Sequence, residues 1–127
     1  MTKKKYEYKL DPLYRYKGRV HRVVDADTVD AYLDMGFNLF TMQRLRIDGY
    51  DAPETWRPRN EAENIHGKAA TARAKELLTG MELIFTTSKD VGIYGRFGAS
   101  ITLPGGRSFS EVMISEGFQK KNTYDGI

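Results

Sequence analysis

Cysteine is absent from the chain. That excludes a disulfide framework and any thiolate metal centre, and it leaves the redox compartment open. Histidine is scarce: His21 and His66 are too few and too far apart to suggest a histidine-based zinc site. No apolar run approaches the roughly 20 residues that cross a bilayer, so no membrane association is expected. The start Met1-Thr2-Lys3-Lys4-Lys5 is basic, but the apolar segment of a secretory signal does not follow it. As given, the chain is expected in the cytoplasm, or outside the cell if a leader was removed. Internal repeats, low-complexity tracts and internal linkers are lacking too.

What is present is a chain of 127 residues, a common size for one domain and long enough to bury a core unaided. Lys and Arg number 20 against 17 Asp and Glu, a net charge of +3. The isoelectric point of about 9.1 leans toward anionic partners, a weak indication when taken alone.

Residues 1–12 are charge-rich and end in Asp11-Pro12, which reads as a flexible N-terminal arm before a single domain over 13–127. Strands are expected at Tyr14–Val24, from Thr28 through Leu33, and at Phe37–Ile47. Turns at Asp25-Ala26-Asp27-Thr28 and Met35-Gly36 separate them. Val29, Ala31 and Leu33 share one face of the second strand. Leu45 and Ile47 share one face of the third, with Arg44 and Arg46 opposite.

A polar loop over 48–59 leads to a helix from Asn60 to Leu78. Its apolar stripe reads Ala62, Ile65, Ala69 and Ala72, widened by Ala70, Ala74 and Leu77. Strands at Met81–Thr87 and Phe97–Leu103 follow. A short helix then starts with Ser108 and Glu111 spaced as a capping box. Phe109, Val112 and Met113 form its apolar face. Three strands, a helix, two strands and a helix indicate an α+β, mainly β fold: a small, partly open five-stranded Greek-key barrel of the oligonucleotide-binding (OB) type.

Asp27, at the start of the second strand, can converge with Asp51 and Glu54, just after the third. Carboxylates that meet at one barrel end repel unless a cation lies among them, and calcium or magnesium prefers oxygen ligands. Taken singly, Asp27 and Asp51 also suit turns, bonding their own backbone. Arg46 and Arg96 carry planar, permanent charges matched to phosphate; either alone also suits a solvated surface. Pro53 stiffens the loop and restricts Ala52 to extended conformations, which would hold Glu54 and the Ala52 carbonyl in place.

Three stretches closely resemble the staphylococcal (thermo)nuclease family: Asp25-Ala26-Asp27-Thr28-Val29, Arg46-Ile47-Asp48-Gly49-Tyr50-Asp51-Ala52-Pro53-Glu54-Thr55, and Tyr94-Gly95-Arg96. Gly67-Lys68-Ala69-Ala70 and Ser110 through Gly117 resemble parts of its helices. The resemblance spans residues 16–120. It implies a calcium-dependent nuclease acting on DNA and RNA, single strands most readily, and leaving a 3′-phosphate and a 5′-hydroxyl. Asp27, Asp51 and the backbone carbonyl of Ala52 then correspond to calcium ligands, Glu54 to the residue that orients or deprotonates water, and Arg46 and Arg96 to a phosphate clamp. Tyr94 and Tyr124 are the candidate substrate contacts, and a monomer is expected.

Departures from the family pattern include Ala26 for a usual Gly, Tyr50 for a usual aliphatic residue, and Gly92-Ile93 before Tyr94 for a common Asp-Lys pair. The family's third, C-terminal helix has no counterpart before Ile127. Phe85, Phe97 and Phe109 are expected in the core, and Trp56 as a packing lid. The competing reading is a catalytically inactive barrel that binds nucleic acid or protein.

Overall fold

The structure, a computed structural model, describes residues 8–92 and 95–124. Five strands and two helices follow one another as β1 (Leu10–Asp25), β2 (Thr28–Gly36), β3 (Leu39–Ile47), α1 (Glu61–Leu78), β4 (Leu83–Ser88), β5 (Phe97–Thr102) and α2 (Phe109–Ser115). The strands close completely into a barrel in the order β1-β2-β3-β5-β4. Neighbours are antiparallel except β3 and β5, which run parallel. This is the OB-type architecture expected from the element order, closed where a partly open barrel was expected because β1 pairs on both sides.

Closure depends on β1, which pairs with both β2 and β4. Register shifts between Val20 and Arg22 and between Val23 and Asp25 bend it, as extra residues in one strand do. Gly18 lies opposite Leu33 on one side and Leu83 on the other. A Cβ there would meet the Tyr32 carbonyl oxygen, the Phe85 ring and Leu33, so the strands can approach only because the side chain is missing. Strand β1 begins at Leu10, paired with Ser88, ahead of the boundary drawn at residue 13. Tyr8 also docks, its N–H donating to Asp48 Oδ1 at 2.7 Å.

The alternation read in β2 and β3 is what fills the barrel. Val29, Ala31, Leu33, Leu45 and Ile47 are buried, with Leu83 and Phe85 from β4 and Ala99 and Ile101 from β5. Phe109, Val112 and Met113 of α2 complete the core, and Phe97 packs against it. Ser108 caps α2, its side chain accepting the Glu111 N–H.

Two of the sequence expectations for these elements need correction. The turn between β2 and β3 falls on Phe37 and Asn38, both in the left-handed region with φ of 56° and 62°, so β3 starts at Leu39. Ala26, where the family usually has Gly, is buried and is not among the residues with positive φ, as an alanine at that turn requires. The helix stripe is out of phase at Ile65, Ala69 and Ala72, whereas its widening residues Ala70 and Ala74 are buried and Leu77 packs against the core. The buried face of α1 is Glu63, Gly67, Ala70, Ala74 and Leu78, while Ile65 is 60% exposed and Ala69 and Ala72 face solvent. In an alanine-rich helix several stripes have equally good spacing. The one carrying Gly67 approaches the barrel most closely, although it must also bury a glutamate.

Replacing Gly18 by Ala should cost about 1–3 kcal/mol through overpacking, lowering the thermal midpoint by about 5 °C or more. A scanning calorimetry trace with an unmoved midpoint would show that β1 relaxes away from Tyr32 at no cost.

Candidate active site

Arg46, near the end of β3, is 7% exposed. Its Nη1 donates to the carbonyls of Tyr50 at 2.6 Å, Ile47 at 2.9 Å and Asp27 at 3.5 Å. The chain leaving β3 therefore curls around the guanidinium, with Gly49 at a φ of 71° making the turn. The curl brings Asp51 back beside Asp27. Arg46 Nη2 lies 3.2 Å from Asp51 Oδ1 and 3.3 Å from Asp27 Oδ2. Asp27 Oδ2 also accepts the Ala52 N–H at 2.8 Å, and Oδ1 accepts the Thr28 hydroxyl at 3.0 Å.

Tyr50 stabilises this curl from behind. Its ring is buried edge-on to Phe109, and its hydroxyl donates to the Phe118 carbonyl at 2.7 Å. Burial raises its pKa, and Asp27 and Asp51 raise it further, so the phenol stays protonated as a donor. The segment after α2 then pairs with the loop: Gln119 Oε1 accepts the Asp51 N–H, and the Lys120 N–H donates to the Asp51 carbonyl at 2.8 Å.

Glu54 is half-buried on the following loop. Burial raises its pKa; Lys120 opposes that shift, and Asp25, Asp27 and Glu63 reinforce it. Asp25, at the end of β1, is also raised by burial. The Thr55 hydroxyl donating at 2.9 Å opposes this; Asp27 adds to it, and Arg46 and Arg96 counter it. Asp25, Asp27, Asp51, Glu54, Arg46 and Arg96 thus share one end of the barrel. Asp25 carried no assignment in the sequence reading, although it stands inside the motif with Asp27.

The local signal at Glu63 is only the Asn60-x-x-Glu63 spacing of a helix N-terminus, which does not announce burial, since a glutamate in a charged helix reads as solvated. It is fully buried. Burial pushes its pKa up, but the Arg59 and Glu54 N–H groups, Lys120 and the Arg59 side chain outweigh this and hold it below the usual carboxylate range. Gly67, one turn on, lets α1 meet the loop. A Cβ there would lie 2.8 Å from the Glu54 carbonyl oxygen and 2.9 Å from that of Pro53.

The aromatic candidates divide. Tyr94 lies outside the described residues. Tyr124 is 5% exposed; its hydroxyl meets His66 Nδ1 at 2.7 Å and accepts the Lys121 N–H at 3.1 Å. His66 Nε2 faces the Gly117 carbonyl at 2.8 Å, which can only accept. A neutral ring therefore carries its proton on Nε2 and accepts the Tyr124 hydroxyl at Nδ1. Tyr124 is an anchor of the C-terminal segment, not an open platform for substrate. Trp56 is no packing lid: it is 77% exposed, with the Arg57 guanidinium 4.3 Å from its ring centre.

Among the described residues no three Asp, Glu or His side chains stand together as a metal cage. The two converging carboxylates, with nearby carbonyls, form an all-oxygen donor set. That chemistry suits a hard cation with irregular geometry and water ligands.

A family model described as "Staphylococcal nuclease homologue" matches residues 44–125. The chain belongs to the staphylococcal nuclease homologue family. A thermonuclease from Staphylococcus hyicus is 33% identical over 107 residues, covering 84% of this chain and 59% of that protein. The chain therefore spans less than two thirds of the length of that family member. The matched stretch contains Arg46, Asp51, Glu54 and Arg96 but not Asp27, which the turn between β1 and β2 supplies from outside it.

The raised pKa of Glu54 has a stability consequence for this family member. Below about pH 4 folded and unfolded chains both hold the proton, and no penalty arises. As pH rises through the folded pKa, the ionised carboxylate is penalised in the folded state alone, and stability falls. Without calcium, Glu54→Gln should therefore raise the thermal midpoint near neutral pH and leave it unmoved near pH 3. A midpoint at neutral pH equal to or below that of the parent would contradict this assignment.

Proposed function

We propose that this chain is a calcium-dependent, sequence-nonspecific nuclease, monomeric, that hydrolyses phosphodiester bonds of DNA and RNA and favours single strands. The observation that carries the reading is the convergence of Asp27 and Asp51, from separate elements, on one guanidinium, in a chain of a nuclease family. Glu54 lies in the same electrostatic field.

Asp27, Asp51 and the Ala52 carbonyl would hold calcium, which when bound supplies Lewis-acid polarisation and a template for the phosphodiester. Glu54 accepts the proton of the attacking water, or orients that water toward phosphorus. Its raised pKa moves it toward the range in which a carboxylate serves as a base. The guanidinium groups of Arg46 and Arg96 neutralise the non-bridging oxygens and stabilise the charge that builds up on them. The bond from phosphorus to the 5′ oxygen breaks, leaving a 3′-phosphate and a 5′-hydroxyl.

Denatured DNA incubated with calcium should be cut, and a chelator should abolish the reaction. Glu54→Ala should slow cleavage by about 10²–10⁴-fold while DNA binding persists in a filter or anisotropy assay. Unchanged cleavage by that variant would remove Glu54 from the mechanism. A parent chain that binds DNA but cuts it under no metal condition would point instead to a binding barrel.

A further inference from the structure

The loop that carries Glu54 has no regular structure between Ala52 and Asn60, yet the chemistry requires its carboxylate to be held in place. One side chain holds both of its ends. Glu63 Oε2 accepts the Glu54 N–H at 3.3 Å, and Oε1 accepts the Arg59 N–H at 2.8 Å and Nε at 3.3 Å. Lys120 Nζ stands 3.6 Å from Oε2, and the backbone N–H of the same lysine donates to the Asp51 carbonyl. A single buried carboxylate is therefore connected to both halves of the site.

We propose that Glu63 is the positioning residue of the reaction, stapling the 54–59 loop closed so that Glu54 is held in register with Asp27 and Asp51. The inference rests on the nuclease reading above. Glu63 is 0% exposed, so it acts through Glu54 and not on substrate. A buried carboxylate at this position of α1 is unfavourable unless every oxygen is bonded, and both oxygens are bonded to groups that belong to the site or its loop. Gly67 brings the helix close enough for the staple to reach.

The test uses Glu63→Asp, which keeps the charge but shortens its reach by one methylene, and Glu63→Gln, which keeps the size but replaces one acceptor by a donor. Folding is checked by thermal melting, and if Glu63→Gln does not fold, Glu63→Asp decides. With calcium and denatured DNA, kcat should fall about tenfold or more with KM nearly unchanged, because small displacements of a reacting group are costly. Trp56, the only tryptophan in the chain, lies in the stapled loop, and its fluorescence anisotropy should decay faster in either variant. In a Glu54→Ala background, Glu63→Asp should cost little further activity, since residues acting through one group are not additive.

Folded variants with parent kcat, a loss confined to KM, an unmoved Trp56 signal, or an equal loss in the Glu54→Ala background would each overturn the proposal. A parent chain that cleaves nothing overturns the nuclease reading and this proposal with it. An active parent with an equally active, folded Glu63→Asp overturns this proposal alone.

Discussion

Everything at the working end of this barrel depends on one buried guanidinium. Arg46 is charged, nearly inaccessible, and surrounded by carbonyl oxygens and two carboxylates. Burying such a charge is costly unless its hydrogen bonds and counter-charge are both provided. The chain provides them by curling Ile47 to Asp51 around it, and that curl sets Asp51 beside Asp27. A lysine could not do this, because its point charge lacks the planar fork that reaches several acceptors at fixed angles. The geometry of the site is thus a by-product of satisfying one cation.

The second layer works with the opposite sign. Glu63 is a buried anion whose donors are the two loop ends and Lys120. Around it, the segment after α2 is held onto α1: Arg59 donates to the carbonyls of Lys121 and Asn122, Asn60 to that of Tyr124, and His66 meets both Gly117 and Tyr124. Gln119 and Lys120 then bond Asp51. The C-terminal segment is part of the site's support, not a tail beyond it. Burial raises the pKa values of Asp25 and Glu54, while the donors gathered around Glu63 hold its pKa down a short distance away.

Much of the fold was legible in the residues. Alternation in Val29, Ala31 and Leu33, and in Leu45 and Ile47, depends only on the two-residue period of a strand, and those positions are buried. The candidate ligands and arginines could be picked out because they fall in three short stretches, each with local spacing. The roles of Glu63 and Lys120 were not legible, because the bonds of Glu63 to Arg59 and Glu54 form only when the loop folds back onto the helix, and Lys120 arrives from the far end of the chain. The burial of Tyr124 was not legible either: it is set by His66 and by Arg59, both distant in sequence, the Arg59 guanidinium lying 5.1 Å from its ring centre.

By itself, then, the sequence determined the order of strands and helices and the inward faces of β2 and β3, and it marked Asp27, Arg46, Asp51, Glu54 and Arg96 as candidates. Local periodicity carries the first, and three short motifs carry the second. Only the tertiary structure decided which of several equally spaced stripes of α1 faces inward, that the buried stripe carries a charged Glu63, and that Trp56 stands in solvent while Tyr124 does not. The reason is physical. A helix phase, the burial of a charge and the exposure of a ring are fixed by what packs against them, and those partners become neighbours only when the barrel closes.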